Sequence, residues 1–188
     1  MVYPVEGFEG IIWTDVESNG THPLLMGSKL LQVACVITDT DLNVLDDSGF
    51  DAFVSYTADE AKELYDAAPP VVQNMHTQTG LWDRIVNEGS SVEIIDAQFL
   101  EYVKQFFPNP KTAWFGGNSI KLDRDFAEVF LPNFYSHVHY RSVDVSGIAG
   151  LARSWYNVSF EKGKSHNATD DIRESIAELK FLREKVFR

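Results

Sequence analysis

Two acidic side chains close an otherwise apolar strand pattern near the start of the chain. Residues 10–17 predict a β-strand, and alternate side chains of a strand point to the same face. One face carries apolar residues and then acids, in the order Ile11, Trp13, Asp15 and Glu17. Two carboxylates this close in a buried place repel each other, and a divalent cation would relieve the repulsion. The alternative is a strand that simply emerges into solvent at its carboxyl end.

A third acidic residue follows another short strand. Residues 112–115 predict that strand, Gly116-Gly117 is expected to break it, and Asp123 lies at the start of the helix that follows. A strand, a glycine break and then an acid are typical of a site at a strand end. The alternative is an aspartate on the exposed face of a helix.

The last helix begins beside a further group of candidates. His166 precedes it, and Asp170 and Asp171 fall in its first turn, where negative charge also suits the helix dipole. Ile172 and Ser175 flank the two acids so that only one of them faces the sheet. The same residues are also compatible with a purely capping pair of aspartates and an ordinary loop histidine.

Strands come first along the chain, and strands and helices then alternate. Strands are predicted at residues 10–17, 29–38, around Val44 with 50–56, 112–115 and 141–145. Helices are predicted behind the capping boxes Thr57-x-x-Glu60 and Ser90-x-x-Glu93, and at 122–130, 146–155 and 168–186. This order is typical of an α/β fold with a mixed central sheet flanked by helices.

Taken in chain order, the candidates form one pattern: Asp15-x-Glu17, Asp123 and His166-x-Ala168-x-x-Asp171. The pattern resembles the DEDDh branch of the 3′→5′ exonucleases, which have a ribonuclease-H-like fold. The resemblance covers nearly the whole chain and is closest to the oligoribonuclease family. It includes Gly117-Asn118-Ser119-Ile120 and Asp144-Val145-Ser146, and its more specific blocks are His139-Tyr140-Arg141 and Asp170-Asp171-Ile172-Arg173-Glu174-Ser175.

The resemblance implies a two-metal hydrolase in one exonuclease domain spanning 1–188. Asp15, Glu17, Asp123 and Asp171 would hold two Mg²⁺ or Mn²⁺ ions, which carboxylate oxygens favour over zinc. Four negative charges and two dications cancel, so the site could admit an anionic phosphodiester. His166 would act as general base, and the product would be a nucleoside 5′-monophosphate.

The resemblance also implies the substrate and the assembly. Family members degrade very short single-stranded RNA, and a homodimer is expected. The 5′-phosphate would be capped by hydroxyls, an arginine and a histidine. The expected substrate-binding residues are Gly20, His76, Asn118, Ser119, Arg141 and Ser146.

Three positions depart from the family pattern. Thr21 stands where the family usually places a leucine beside the bases, and Val71 where many members carry a stacking tryptophan. Gln32 stands where the family tends to have glutamate. Base stacking contributes about 1–3 kcal/mol per base. These changes therefore bear on the strictness of the dinucleotide preference, whereas the metal-binding acids are unchanged.

Composition limits the remaining classes of function. The 188 residues carry a formal charge of −12, which argues against a protein that grips long duplex nucleic acid through a basic face. The apolar runs are too short to span a membrane, and the amino terminus resembles no secretion signal, so a cytoplasmic protein is expected. Cys35 lies in an apolar run and is expected to be a buried, inert thiol.

Three further functions stay open at this point. An enzyme of the same fold that acts on DNA would use the same residues, so short DNA is a possible substrate. The sequence is also compatible with a non-catalytic nucleic-acid-binding subunit and with a metal-stabilised structural domain.

Overall fold

A mixed five-stranded sheet forms the centre of the molecule. The computed structural model describes residues 7–161, 163 and 168–187. Over this part of the chain the strands are β1 (Gly10–Ser18), β2 (Leu30–Asp39), β3 (Phe50–Phe53), β4 (Ala113–Gly117) and β5 (Ser142–Asp144). Their order is β3-β2-β1-β4-β5. The strand β1 runs antiparallel to β2 and parallel to β4, which confirms the mixed sheet predicted from the sequence.

Helices cover both faces of the sheet. They are α1 (Pro23–Met26), α2 (Ala58–Ala67), α3 (Pro70–Gln78), α4 (Leu81–Asn87), α5 (Val92–Lys104), α6 (Lys121–Phe130), α7 (Pro132–His137), α8 (Val145–Tyr156) and α9 (Ala168–Lys185). Among the described residues, none of these helices combines the length and the apolar composition needed to cross a bilayer.

The alternation of β1 separates two hydrophobic cores. Ile12 and Val16 belong to the larger core, where aromatic side chains such as Phe99 of α5 and Phe126 of α6 are buried. Ile11 and Trp13 point the other way, into a core shared with α8 and α9. The face predicted to carry Asp15 and Glu17 is therefore the face that α9 covers.

Two local predictions are wrong. The amino-terminal cap of α5 is Ser91, whose hydroxyl accepts from the N–H of Ile94, whereas the N–H of Ser90 donates to the carbonyl of Phe53. Gly116 does not break β4, because that strand continues to Gly117 and pairs there with β5. A Cβ at Gly116 would lie 2.4 Å from Cγ2 of Ile11, so this glycine permits a close approach inside the sheet.

Strand β3 is shorter than predicted, and several short helices were missed. Val44 makes only an isolated bridge with Thr38, and β3 ends at Phe53. The helices α3 and α7 both begin at a proline, which suits a first helical position. The capping box Thr57-x-x-Glu60 is confirmed, with the Thr57 N–H donating to Oε2 of Glu60 at 2.8 Å.

Candidate active site

The two acids of β1 stand where the strand runs past its parallel neighbour. Pairing of β1 with β4 ends at Trp13 and Gly116, while pairing with β2 continues beyond Asp15 and Glu17. The acids therefore extend past the carboxyl end of β4 while one side of β1 remains held in the sheet. Both side chains are only partly accessible.

A backbone hydrogen bond brings the third acid onto the same strand. The chain leaves β4 and begins α6, and the Asp123 side chain in its first turn is buried. The N–H of Val16 donates to Oδ1 of Asp123 over 2.9 Å. Because Val16 lies between Asp15 and Glu17, the α6 carboxylate is fixed beside both of them.

The fourth acid comes from α9. Asp15 and Asp171 both line a cavity of ≈ 220 Å³, together with Asn118 and Ser175, and Asp170 is not part of this lining. This confirms that only one aspartate of the pair faces the sheet. The Asn118 amide donates to Oγ of Ser175 over 2.6 Å, and that hydroxyl donates to the carbonyl of Asp171 over 2.8 Å. The β4–α6 segment and the first turns of α9 are thereby tied together.

Burial and mutual repulsion disfavour the charged forms of these acids. Burial raises the pKa of Asp15 well above its ordinary value, and Asp123, Glu17 and Asp171 raise it further. Burial, then Asp171 and Asp123, raise the pKa of Glu17 to about 7. Burial also raises the pKa of Asp123 to about 7, although the hydrogen bond from Val16 opposes it. The four side chains thus form one electrostatically coupled cluster.

The donor chemistry of the cluster fits a hard divalent cation. All four side chains, Asp15, Glu17, Asp123 and Asp171, offer carboxylate oxygens, which suit Mg²⁺ and Mn²⁺. A bound dication would offset the electrostatic repulsion among them. Within the described part of the chain, no three Asp, Glu, His or Cys side chains are arranged as a closed metal-binding group.

His76 lies directly behind Glu17. Its ring is almost fully buried, with Nε2 2.9 Å from the carbonyl oxygen of Ser18 and Nδ1 3.9 Å from Oε2 of Glu17. Burial lowers the pKa of His76, which favours the neutral ring. The contact with a carbonyl assigns the proton to Nε2. His76 therefore packs against Glu17 and the end of β1. It does not contact Ser119 or Ser146, with which it was expected to bind the 5′-phosphate.

Ser119 and Ser146 form a separate hydroxyl pair. Ser119 has a positive φ of 55°, and its Oγ lies 3.3 Å from Oγ of Ser146. Asp144 caps α8 and accepts from the N–H of Ser119 and of Ser146, each over 3.1 Å. This role of Asp144 was not predicted, although an aspartate directly before a helix is a recognisable capping signal.

Arg141 lies at the other end of the neighbouring strands. It precedes β5, and its guanidinium lies over the rings of Trp114 and Tyr140, 5.7 Å and 5.6 Å from their centroids. Trp114 lies near the start of the β4 pairing, whereas Ser119 and Ser146 follow the ends of β4 and β5. Within one chain, the structure does not bring Arg141 to this hydroxyl pair.

The remaining expected residues occupy supporting or undescribed positions. Gly20 lies in the loop after β1, where a Cβ would meet Oγ of Ser28 at 2.6 Å. Val71 is 72% exposed on α3. Gln32 stands opposite Glu17 in the β1–β2 pairing and donates to Oδ1 of Asp51 over 2.6 Å. His166, the expected general base, lies outside the described residues.

A central strand ending in two acids, joined by acids from two helices, is the arrangement that the sequence predicts for a nuclease of the ribonuclease-H-like fold. The family model described as "Exonuclease" matches residues 12–179. Oligoribonuclease from Nocardia farcinica is 40% identical over 181 residues, covering 94% of this chain and 81% of the relative. Oligoribonuclease from Francisella tularensis is 36% identical over 190 residues, covering 97% and 98%. The chain belongs to the oligoribonuclease family of exonucleases.

Solved structures agree on the fold. Escherichia coli exonuclease I in complex with a 5cy-dT13 oligonucleotide superimposes with a TM-score of 0.68 at 18% identity over 96% of this chain. The exonuclease I from Methylocaldum szegediense gives a TM-score of 0.62 at 18% identity. The chain spans 41% of each of these two longer proteins.

Proposed function

We propose that this protein is a metal-dependent 3′→5′ exoribonuclease that degrades very short RNA to nucleoside 5′-monophosphates. The observation that carries the proposal is the coupling of Asp15, Glu17, Asp123 and Asp171 in one cluster at the carboxyl end of β1. Family membership supports the same activity, because the relatives named oligoribonuclease match over nearly the whole chain.

The four carboxylates would hold two Mg²⁺ or Mn²⁺ ions. When bound, such ions lower the pKa of water and stabilise charge on the attacking and leaving oxygens. The protein contributes the fixed position of Asp123, the burial that strengthens electrostatic interactions, and the neutral His76 ring behind Glu17. His166 is the proposed general base, since an ordinary histidine pKa of about 6.5 suits proton transfer near neutral pH.

The hydroxyl pair would recognise the 5′-phosphate and thereby the length of the substrate. Ser119 and Ser146 lie in the segments that follow β4 and β5, on the same edge of the sheet as the acids. A terminal phosphate held there would place a short chain across the metal cluster. Asn118, bonded to Ser175, directly precedes Ser119 in sequence and lines the acid cavity.

A homodimer would complete this phosphate site. Arg141 lies at the opposite end of β5 from Ser146, so it cannot join the hydroxyls of its own chain in this arrangement. The neighbouring Tyr140 ring is 74% exposed, which leaves an aromatic surface for contact between copies. We propose that the partner's Arg141 reaches the 5′-phosphate bound by Ser119 and Ser146.

We further propose that residues 1–188 form a single exonuclease domain and that the protein is located in the cytoplasm.

One substrate panel tests the function. Two-, five- and twenty-nucleotide RNA and DNA, each with and without a 5′-phosphate, are incubated with Mg²⁺, Mn²⁺ or EDTA. We expect release of nucleoside 5′-monophosphates, fastest from 5′-phosphorylated RNA dinucleotides and absent in EDTA. Faster cleavage of DNA would favour the DNA-directed alternative. Absence of hydrolysis with either metal would favour a non-catalytic binding subunit.

A further inference from the structure

Two arginines clamp α9, the helix that carries Asp171, onto one segment of the chain. Arg173 donates from Nη2 to the carbonyl oxygen of Asp47, and its Nη1 lies 3.8 Å from Oδ1 of the same residue. Arg183 contacts Asp41 in the same way, donating to the carbonyl over 3.1 Å with Nη1 3.7 Å from Oδ1. Both aspartates lie in the segment between β2 and β3. The helix is therefore attached to this segment at two separate points.

The segment between β2 and β3 is fixed by its own hydrogen bonds. Oδ1 of Asp39 accepts the N–H of Asp41 over 2.8 Å. The hydroxyl of Tyr102 on α5 donates to Oδ2 of Asp46, the residue before Asp47, over 3.1 Å. The two carbonyls that receive the arginines thus belong to turns that are held in place.

The contacts with the carbonyl oxygens matter more than the two ion pairs. The side chains of Asp47 and Asp41 are 95% and 80% exposed, and ion pairs this open to solvent contribute little to stability. A hydrogen bond from a charged guanidinium is stronger than a neutral one, and a main-chain acceptor cannot rotate away. Each arginine therefore fixes the distance between α9 and the segment.

Only one of the two arginines lies close to the acid cluster. Arg173 follows Asp171 by two residues, whereas Arg183 follows it by twelve, which is about 18 Å along the helix. Arg183 also lies in the last turn, where a positive charge suits the helix dipole. Arg173 lies in the second turn, so the dipole does not account for a cation there. The same contact chemistry thus occurs once beside the cluster and once far from it.

The first turns of α9 are supported on both sides of β1. On the β4 side, the Asn118 amide donates to Oγ of Ser175. On the β2 side, Arg173 holds the segment that leaves β2. The four carboxylates repel one another when no cation is bound, and this repulsion pushes the helix that carries the fourth away from β1. The two supports oppose that displacement.

We propose that Arg173 is a positioning residue, which holds the first turns of α9 so that Asp171 can bind metal together with the acids of β1 and α6. The inference rests on the proposed metal-dependent function. Arg173 acts through Asp171 and is not itself a metal ligand. Arg183 stabilises the far end of the same helix and has no part in metal binding.

Calorimetric titration of the full-length protein with Mn²⁺ alone, without nucleic acid, tests this role. We expect Arg173→Gln to weaken Mn²⁺ binding about tenfold, at the lower end of the effects of residues that orient metal ligands. Arg183→Gln is the matched control, because it removes the same type of contact from the same helix, and it should leave Mn²⁺ binding unchanged. Both variants should lower the midpoint of urea unfolding in EDTA, so a loss of stability alone cannot explain the difference.

Two further variants separate the carbonyl contact from the ion pair. Arg173→Lys keeps a cation that can donate to the carbonyl of Asp47, so it should recover most of the Mn²⁺ affinity that Arg173→Gln loses. Asp47→Asn removes only the exposed ion pair and should bind Mn²⁺ like the wild type.

A measurement without metal checks the attachment of the helix itself. In EDTA, hydrogen exchange of the amides of residues 168–175 should be faster in Arg173→Gln than in the wild type and unchanged in Arg183→Gln. The Arg173 side chain is 38% exposed, so its replacement leaves the core intact. Equal Mn²⁺ affinities of Arg173→Gln and Arg183→Gln would overturn the positioning role alone. A wild type that binds no Mn²⁺ would overturn the proposed function and this inference with it.

Discussion

The Asp123 carboxylate accepts the backbone N–H of Val16 over 2.9 Å, and this single bond joins the first turn of α6 to the central strand. Val16 separates Asp15 from Glu17 in sequence, so the bond sets the third carboxylate beside the other two. A backbone donor that is satisfied by a buried carboxylate has a structural as well as an electrostatic role. The two roles can be separated by substitution.

Asp123→Asn keeps an oxygen that can accept from Val16 but removes the charge. We expect this variant to fold with unchanged or higher stability in EDTA. Its hydrolysis rate should fall by more than about 100-fold, which exceeds the usual effect of mutating a residue that only hydrogen-bonds to a metal ligand. Asp123→Ala should also be inactive, and it should lose about 1–3 kcal/mol of unfolding free energy because the buried N–H is left unpaired. Chemical denaturation and initial rates measure both. Equal stability of the two variants would contradict the structural role of this bond.

Glu17 should make the metal-free protein less stable as the pH rises. Its pKa is raised from 4.5 to about 7 in the folded state, mainly by burial, so the folded state binds the proton more tightly than the unfolded chain. The free energy of unfolding should therefore fall between about pH 4.5 and 7 and then level off. In EDTA at pH 8, the free energy of unfolding of Glu17→Gln should be higher than that of the wild type by on the order of 2–3 kcal/mol. The difference should be smaller at pH 5, where Glu17 is largely protonated in the folded wild type.

Glu60→Gln provides a control of opposite sign. Hydrogen bonds with Thr57 lower the pKa of Glu60, so its charged form stabilises the capping box and is most effective above the unfolded pKa. That variant should lose stability at pH 8 rather than gain it. Urea titrations of both variants at the two pH values make the comparison. A Glu17→Gln protein that is no more stable than the wild type at pH 8 would contradict the repulsion inferred for the cluster.

Ser146→Ala should reduce the advantage of a 5′-phosphorylated dinucleotide. The hydroxyl lies 3.3 Å from that of Ser119, and its loss removes one donor to the terminal phosphate. We expect the ratio of kcat/KM for pApA over ApA to fall about fivefold to tenfold, with the rate on ApA little changed. Ser136→Ala, on α7, is the control. An unchanged ratio in Ser146→Ala would exclude this hydroxyl from phosphate recognition.

Val71→Trp should strengthen binding of short RNA. The side chain is 72% exposed on α3, the helix that carries His76, so a larger ring can be accommodated without overpacking the core. Stacking worth about 1 kcal/mol would lower KM for a dinucleotide about fivefold with kcat little affected. Val86→Trp, on α4, tests whether any added aromatic ring has the same effect. Similar KM values for Val71→Trp and the wild type would argue against stacking at this position.

The placement of Asp15 and Glu17 on the same face of β1 could be predicted because side chains strictly alternate between the two faces of a strand. Ile11 and Trp13 identify the covered face, and Asp15 and Glu17 must follow them onto it. The same kind of reasoning indicated that only one aspartate of the α9 pair faces the sheet, since helix periodicity places Ile172 and Ser175 against it. Local periodicity carries this information, so a single sequence is sufficient for it.

Long-range details could not be predicted in this way. Nothing in the sequence near Asp123 indicates that its oxygen accepts from Val16, because that contact depends on how α6 packs against the sheet. Gly116 illustrates the same limit, since a strand glycine needed for close packing on Ile11 has the local signature of a break. The separation of Arg141 from Ser119 depends on the parallel direction of β4 and β5.

Anomalous diffraction from a crystal soaked in Mn²⁺ tests the metal cluster most directly. We expect two anomalous peaks between β1 and α9, with oxygens of Asp15, Glu17, Asp123 and Asp171 as ligands, and loss of at least one peak in Asp15→Asn. Four carboxylates that stay apart, with no manganese among them at saturating concentration, would contradict the proposed chemistry.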